Sequence, residues 1–328
     1  MSLWLRNEAL QPLAADRPCG ENLEDTPLLA SFDAFRLFGQ AAPLNPAPEW
    51  AHIREQALDA LGKSKDLRVL AHLAAAVLRT DGILAFADSL HVAAQWLERY
   101  WADAYPRVDE DAIQRRSALN CFADPMAVVD GLRRVPLVQS RQHGAITLRA
   151  LDITAGLLQA GEKDVRHDEA QVTAAFAEMP IEELTALQQG LAAAVAAVDS
   201  MTARMGSEGG PDAVPAFEPL SACLMKAERV ARTQLASRTG QAGKAAPGAA
   251  GQPAAGAPPA TIGSRHDAIA ALDAVADFFR RHEPSSPVPL FVERAKRLVA
   301  KDFLEVLEDI APDGLAQARS AGGLPRSE

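Results

Sequence analysis

The sequence predicts an all-α protein, and three observations carry that reading. Hydrophobic residues make up 48% of the 328 positions but aromatics only 5%, so the apolar content is mostly Ala, Leu and Val, which favour or tolerate helix. Apolar residues recur at three- and four-residue spacing along most of the chain. Proline and glycine gather between those stripes rather than inside them. The length predicts two or three domains with cores of their own.

Residues 1–140 read as one N-terminal bundle of antiparallel helices with short loops. In "DTPLLASFDAFRLFG", Thr26 is an N-cap and Pro27 fits the first turn, with Leu28, Phe32, Phe35 and Phe38 following at helical spacing. A second helix places Trp50, Ile53, Ala57 and Leu61 on one face. Ser64 and Asp66 read as caps for a third, whose stripe is Leu67, Leu70, Leu73 and Val77, with Gly82 as its stop. Then "ILAFADSLHVAAQWLERYWADAYP" reads as one long helix to Pro106, burying Leu90, Ala93, Ala94, Leu97 and Trp101. Two shorter helices follow in "DEDAIQRRSALNCFADP" and "PMAVVDGLRRVP".

Residues 141–237 read as a middle helical region. At the junction, "PLVQSRQHGAITLRALDIT" alternates β-branched residues around Gly144, which predicts a small hairpin or extended connector. "RHDE" at Arg166–Glu169 is a polar helix start. Two long helical stretches around "GSEGGPDAVP" predict a helical hairpin, with alanines that permit close approach. Residues 238–262 are almost entirely Ala, Gly, Pro and small polar residues, the composition of a disordered linker with a reach of roughly 25–30 Å.

Residues 263–316 predict a small three-helix domain, followed by a tail at 317–328. Ser264 and Asp267 precede a helix with Ile269, Leu272, Val275 and Phe279 on one face. Pro284 stops it, Ser286 and Pro287 start the next, Pro289 sits in that helix's first turn, and a third begins at Asp302. These prolines form a corner between helices. Leu290, Phe291, Leu298, Phe303, Leu304, Val306, Leu307 and Ile310 are more apolar positions than so small a domain readily hides. Self-association as a ring or stack is the reading, with a well-packed monomeric unit as the alternative.

The net charge of -10 and the lack of any long basic run exclude nucleic acid and an anionic membrane surface as expected partners. Cys19, Cys121 and Cys223 are isolated and odd in number, as expected of a reducing cytoplasm. No stretch reads as a signal peptide or membrane span. Chemistry is hard to find. Gly62-Lys63-Ser64 looks like the tail of a phosphate loop, but the glycine required five residues earlier is Ala57 and the stretch leaves a helix. The seven histidines show no ligand spacing, so no metal or cofactor is expected. Ser285 and Ser286 near His282 hint at a nucleophile and base, which capping explains better. In "RPCGENLEDTP", Glu21, Glu24 and Asp25 are the wrong setting for a nucleophilic Cys19. That stretch reads as a packed loop, with Glu21 and Asn22 bonded to backbone, or as an interaction epitope.

"CGENLEDTP", "SKDLRVLAHLAAAVLRTDG" and "LERYWADAYP" resemble the ImpA-type N-terminal domain of the TssA family of bacterial type VI secretion. "HEPSSPVPLFVERAKRLVAKDFLEVLEDIAPDG" resembles the C-terminal domain of that family's shorter forms. The resemblance covers about 1–140 and 263–316. It implies a non-enzymatic, ring-forming assembly component that contacts baseplate, sheath and tube proteins of a contractile machine. It further implies a bacterial cytoplasmic location, recruitment to the inner-membrane-anchored apparatus, and a baseplate-proximal role. Under it, Cys19, Gly20, Glu21, Asn22, Lys65, Asp66 and Arg68 are structural signature or partner surface, with Lys65 and Arg68 as the exposed contacts. Pro287, Pro289, Phe291, Arg294, Leu298, Phe303, Leu307 and Ile310 are the expected ring interface. A generic helical adaptor, a hydrolase using Ser286 and a nucleotide-driven factor using Lys63 are the other readings.

Overall fold

The computed structural model describes residues 7–43, 47–108, 112–162, 164–239, 265–282 and 287–299. The chain divides into two compact units, residues 1–246 and 247–328. The first is helical, as expected, apart from one hairpin.

Five helices open the first unit: α1 (Pro27–Asp33), α2 (Trp50–Leu61), α3 (Leu67–Thr80), α4 (Ile83–Arg99) and α5 (Ile113–Asn120). Thr26 caps α1 by accepting from the Leu29 N–H, and Asp66 caps α3 by accepting from the Arg68 N–H. The Ser64 hydroxyl is buried and makes no capping bond. The predicted stripe of α3 is fully buried at Leu67, Leu70, Leu73 and Val77, and so are Val69, Ala71 and Ala74–Ala76 between them. A helix apolar nearly all round belongs at the centre, with α2 and α4 on its flanks.

Two expected helices are shorter. α1 ends at Asp33, and Arg36 turns the chain at φ +49°. Phe35 and Phe38 leave the helix to pack edge-on against Phe32 and His72 respectively. α4 ends at Arg99, where backbone bonding switches from the helix to a turn in which Ala104 N–H donates to the Tyr100 carbonyl. Trp101 is thus half-buried beyond the helix rather than on its stripe.

The chain continues through α6 (Asp130–Arg134), β1 (Pro136–Ser140), β2 (Gly144–Thr147), α7 (Leu148–Thr154), α8 (Glu169–Glu178), α9 (Ile181–Gly209) and α10 (Glu218–Arg238). β1 and β2 are the expected hairpin, antiparallel with Val138 opposite Ile146 and Ser140 opposite Gly144. Gly144 supplies φ +74° at the return. Asp168 and Gln171 form a capping box that starts α8. α9 and α10 pack as the predicted helical hairpin, and α9 also lies along α4. A Cβ at Gly190 would stand 2.5 Å from Leu84 Cδ2 at the tip of that side chain, so α9 and α4 are in close contact there. One apolar cluster therefore runs from Ala9 to Ala231 with no break near residue 140. The expected N-terminal bundle and middle region share that core, because α4 offers α9 a second apolar side that α3 does not cover.

In the second unit, α11 (Arg265–His282) packs on α12 (Val288–Val299). Ala276 and Val292 are buried between them, and Arg280–Glu293 (2.8 Å) and Lys296–Asp273 pairs tie the two helices. Pro287 stands immediately before α12 and Pro289 lies in its first turn, as the sequence predicts. Of the linker expected at 238–262, Arg238 instead ends α10; Ser264, Pro284, Ser285, Ser286, the expected helix from Asp302, the rest of the linker from 240 and the tail lie outside the described residues. Among the described residues, no helix is long and apolar enough to cross a membrane.

Candidate functional site

The signature residues of the N-terminal half meet at one place, the short segment Ser64–Asp66 between α2 and α3. It is held on both sides by backbone bonds. On one side, Lys65 N–H donates to the Cys19 carbonyl (2.9 Å) and Glu21 N–H to the Lys63 carbonyl (3.0 Å). On the other, Tyr105 N–H donates to the Lys65 carbonyl (3.0 Å) and Leu67 N–H to the Tyr105 carbonyl (2.8 Å). Three segments remote in sequence thus make a narrow ladder that ties the start of the chain to the core helices. Gly20 sits in it at φ +72°, where a Cβ would fall 2.1 Å from the Lys63 carbonyl oxygen, so only glycine fits.

Lys65 corrects the sequence reading. It was expected among exposed contacts, but it is 1% exposed. Its Nζ donates to the Ala9 carbonyl at 2.7 Å and lies 5.1 Å from the Trp96 ring centre and 5.5 Å from that of Tyr100. A carbonyl and two aromatic faces replace the water the ammonium gives up. Burial still lowers its pKa to about 8. Trp96 Nε1 donates to the same Ala9 carbonyl at 2.8 Å, and the Tyr100 hydroxyl to the Leu10 carbonyl at 3.2 Å.

Asp66 is fully buried and grips the Arg68 guanidinium through both carboxylate oxygens, the closest contact being 2.8 Å. Arg68 keeps a 24% exposed side chain and is the one charged group of the "SKD LR" motif left at the surface near the cap. Cys19 is 2% exposed, and burial pushes its thiol up to about 11, so it is neither accessible nor ionised at neutral pH. Glu21 and Asn22 are exposed. Asn22 Oδ1 accepts from Glu24 N–H at 3.0 Å, which closes the turn leading to α1. Lys63 is exposed at the end of α2 and pairs with Asp59 at 2.8 Å, one helical turn back.

Sequence reading missed Arg115. It is fully buried, donates to the carbonyls of Trp101 (2.8 Å), Ala104 (2.6 Å) and Pro106 (2.9 Å), and stacks 4.8 Å from the Trp101 ring centre. It thereby fixes the Tyr100–Pro106 turn that supplies one side of the ladder. Its signal was available: Arg115 shares a helical face with Ala118 and Leu119. Ala9, whose carbonyl anchors Lys65, carried no signal.

The expected ring residues divide. Pro287 and Arg294 are exposed, Pro289 is half-buried, and Phe291 on α12 is 68% exposed beside Leu290 at 75%. Leu298 belongs to α12. Phe303, Leu307 and Ile310 lie outside the described residues, as does Ser286. Among the described residues, no cluster of three or more His, Cys, Asp or Glu side chains is placed to hold a metal ion.

The ladder and its buried cations mark a helical module whose most distinctive residues fasten backbone to backbone. Residues 10–124 match the family described as ImpA, N-terminal, type VI secretion system. The chain is 32% identical to the type VI secretion system component TssA1 of Pseudomonas aeruginosa, over 97% of this chain and 98% of that protein. It therefore belongs to the TssA family of type VI secretion components. In fold it is similar to the N-terminal domain, including the conserved ImpA_N region, of the TssA component from Burkholderia cenocepacia. That likeness has a TM-score of 0.55 and 21% identity, and covers 71% of this chain and 94% of the solved one.

Proposed function

We propose that the protein is a non-enzymatic assembly component of a type VI secretion system that self-associates as a ring through residues 263–316. The exposed pair Leu290 and Phe291 carries this reading. Two adjacent large apolar residues at the first turns of α12, in a unit separate from residues 1–246, are stabilised by burial against another copy. The end-to-end likeness to TssA1, a type VI secretion system component, supports placing the assembly at the secretion machine; its location in the cytoplasm at the inner-membrane anchor is part of the proposal.

Each N-terminal unit is tethered to the ring through the Ala/Gly/Pro stretch at 240–262. Many tethered copies present the same surface to baseplate, sheath and tube proteins at high effective concentration. The corner at Pro287 and Pro289 sets the angle between α11 and α12, and hence between neighbouring subunits. The test is complementation of a deletion strain with wild type or with Leu290→Glu/Phe291→Glu. Release of the tube protein into the medium is expected with wild type and lost with the double variant. Full release with the double variant refutes the reading.

A further inference from the structure

A groove of about 500 Å³ opens beside the ladder, between α1, the start of α3 and α5. Its walls are Leu29, Phe32, Phe38, Ile113, Ala118 and Cys121, with the buried ring of His72 among them. Ile113 is 50% exposed at the lip, an unusual setting for a large aliphatic side chain on a helix that otherwise packs well. Burial lowers the pKa of His72, so its ring is uncharged at neutral pH.

Three charged residues line the groove: Glu24, Asp33 and Arg68. Arg68 spends its charge on the fully buried Asp66 directly behind it, through a paired contact at 2.8 Å. Glu24 and Asp33 are exposed, and both add to the negative field around Arg68 without a contact ion pair to it among the described residues. An apolar trough with a net acidic rim selects a segment that offers an aliphatic or aromatic anchor next to a lysine or arginine. A second copy of this chain is a poor occupant on charge grounds, since the chain carries a net charge of -10.

We propose that this groove is the docking site through which the N-terminal unit captures a partner protein, by an apolar anchor flanked by basic residues. The proposal deepens the assembly reading and rests on it only for the partner's origin. Cys121 lines the groove and Cys223, on α10, does not, while both are half-buried. The two thiols therefore make an internal footprint.

The test uses the full chain and two designed peptides labelled with fluorescein, KLLKKLLKKLLK and its acidic counterpart ELLEELLEELLE. The basic peptide is expected to bind by fluorescence anisotropy and to slow alkylation of Cys121 several-fold relative to Cys223; the acidic one does neither. Glu24→Lys/Asp33→Lys weakens the basic peptide by about tenfold or more, whereas the equal charge change Glu182→Lys/Glu183→Lys, on exposed positions of α9, changes it little. Ser117→Trp, at an exposed position in the groove wall, blocks binding with the circular dichroism spectrum and Tm unchanged. Equal loss in both charge-reversal variants, unprotected Cys121, or equal binding of the acidic peptide overturns the proposal. Light scattering on the same samples reads self-association separately, so failure of the groove is distinguishable from failure of the ring.

Discussion

Lys65 and Trp96 donate to one oxygen. The Lys65 ammonium at 2.7 Å and the Trp96 indole N–H at 2.8 Å both end on the Ala9 carbonyl, with the ammonium poised 5.1 Å from the indole ring centre. Between them they pin the turn around Ala9 to α4 and to the α2–α3 junction. The dipole in front of the buried cation and the aromatic face beside it offset part of the cost of burial, and a pKa of about 8 shows that they do not offset all of it.

Lys65→Met keeps the buried stem and removes the charge. The Ala9 carbonyl retains its bond from Trp96, so nothing there is left without a donor. The lowered pKa of Lys65 means that its ammonium is held less favourably in the fold than in the unfolded chain, so at pH 7 the variant is expected to be at least as stable as wild type. Urea denaturation of the two proteins at pH 7 measures the difference, and a midpoint for Lys65→Met well below that of wild type would show that the carbonyl and ring contacts outweigh the cost of burial.

The same site predicts a pH signature of two opposing parts. Lys65 falls from 10.5 to about 8 in the fold, so the unfolded chain binds more protons between those values and stability from this group rises with pH across that window. Cys19 moves from 9.0 to about 11, so the folded chain holds the proton longer and stability from this group falls as pH rises from 9 to 11. Unfolding free energies at pH 7.5 to 10.5 should show wild type gaining on Lys65→Met as pH rises. Cys19→Ala should remove the alkaline decline. Parallel curves for all three would contradict the burial of both groups.

Gly20→Ala is expected to destabilise by at least about 2 kcal/mol. The residue is at φ +72° and its Cβ would overlap the Lys63 carbonyl, which is backbone and has no room to withdraw. Gly39, at φ +74° with no neighbouring atom in the way of a Cβ, is the matched control. Gly39→Ala should cost only the backbone strain. Thermal melts of the two variants separate the clash from the strain.

Gly190 tests whether residues 1–246 share one core. Its Cβ would meet only the flexible tip of Leu84, so Gly190→Ala is tolerated and gains helix propensity. Gly190→Ile overpacks the α4–α9 contact and should cost about 1–3 kcal/mol. Among the described residues the tryptophans are Trp50, Trp96 and Trp101, all before residue 140, whereas circular dichroism reports every helix. With one core, Gly190→Ile shifts the fluorescence and dichroism transitions of these residues together. A fluorescence transition unmoved by the substitution would mean two separately folding parts.

The stripes of α2, α3 and α4 were legible because each buries a face whose period is local. The Thr26 and Asp66 caps, and the hairpin return at Gly144, were legible for the same reason: the side chain or backbone that needs the residue lies within a few positions. Lys65 was not, because its partners Ala9, Trp96 and Tyr100 are remote in sequence and a lysine beside a helix cap ordinarily points to water. The ends of α1 and α4 failed differently. Phe35, Phe38 and Trp101 continue a helical spacing, yet tertiary contacts draw them off the helix. The continuity past residue 140 was hidden because the small residues of α9 read as a face for α10, while Gly190 serves α4.

Self-association through the C-terminal unit is read by size-exclusion chromatography with light scattering on the full chain. A discrete oligomer is expected for the wild type, and a shift to monomer, of unchanged helical content, for Leu290→Glu/Phe291→Glu. A wild-type monomer of 34.9 kDa, or an oligomer that the double variant leaves intact, would contradict it.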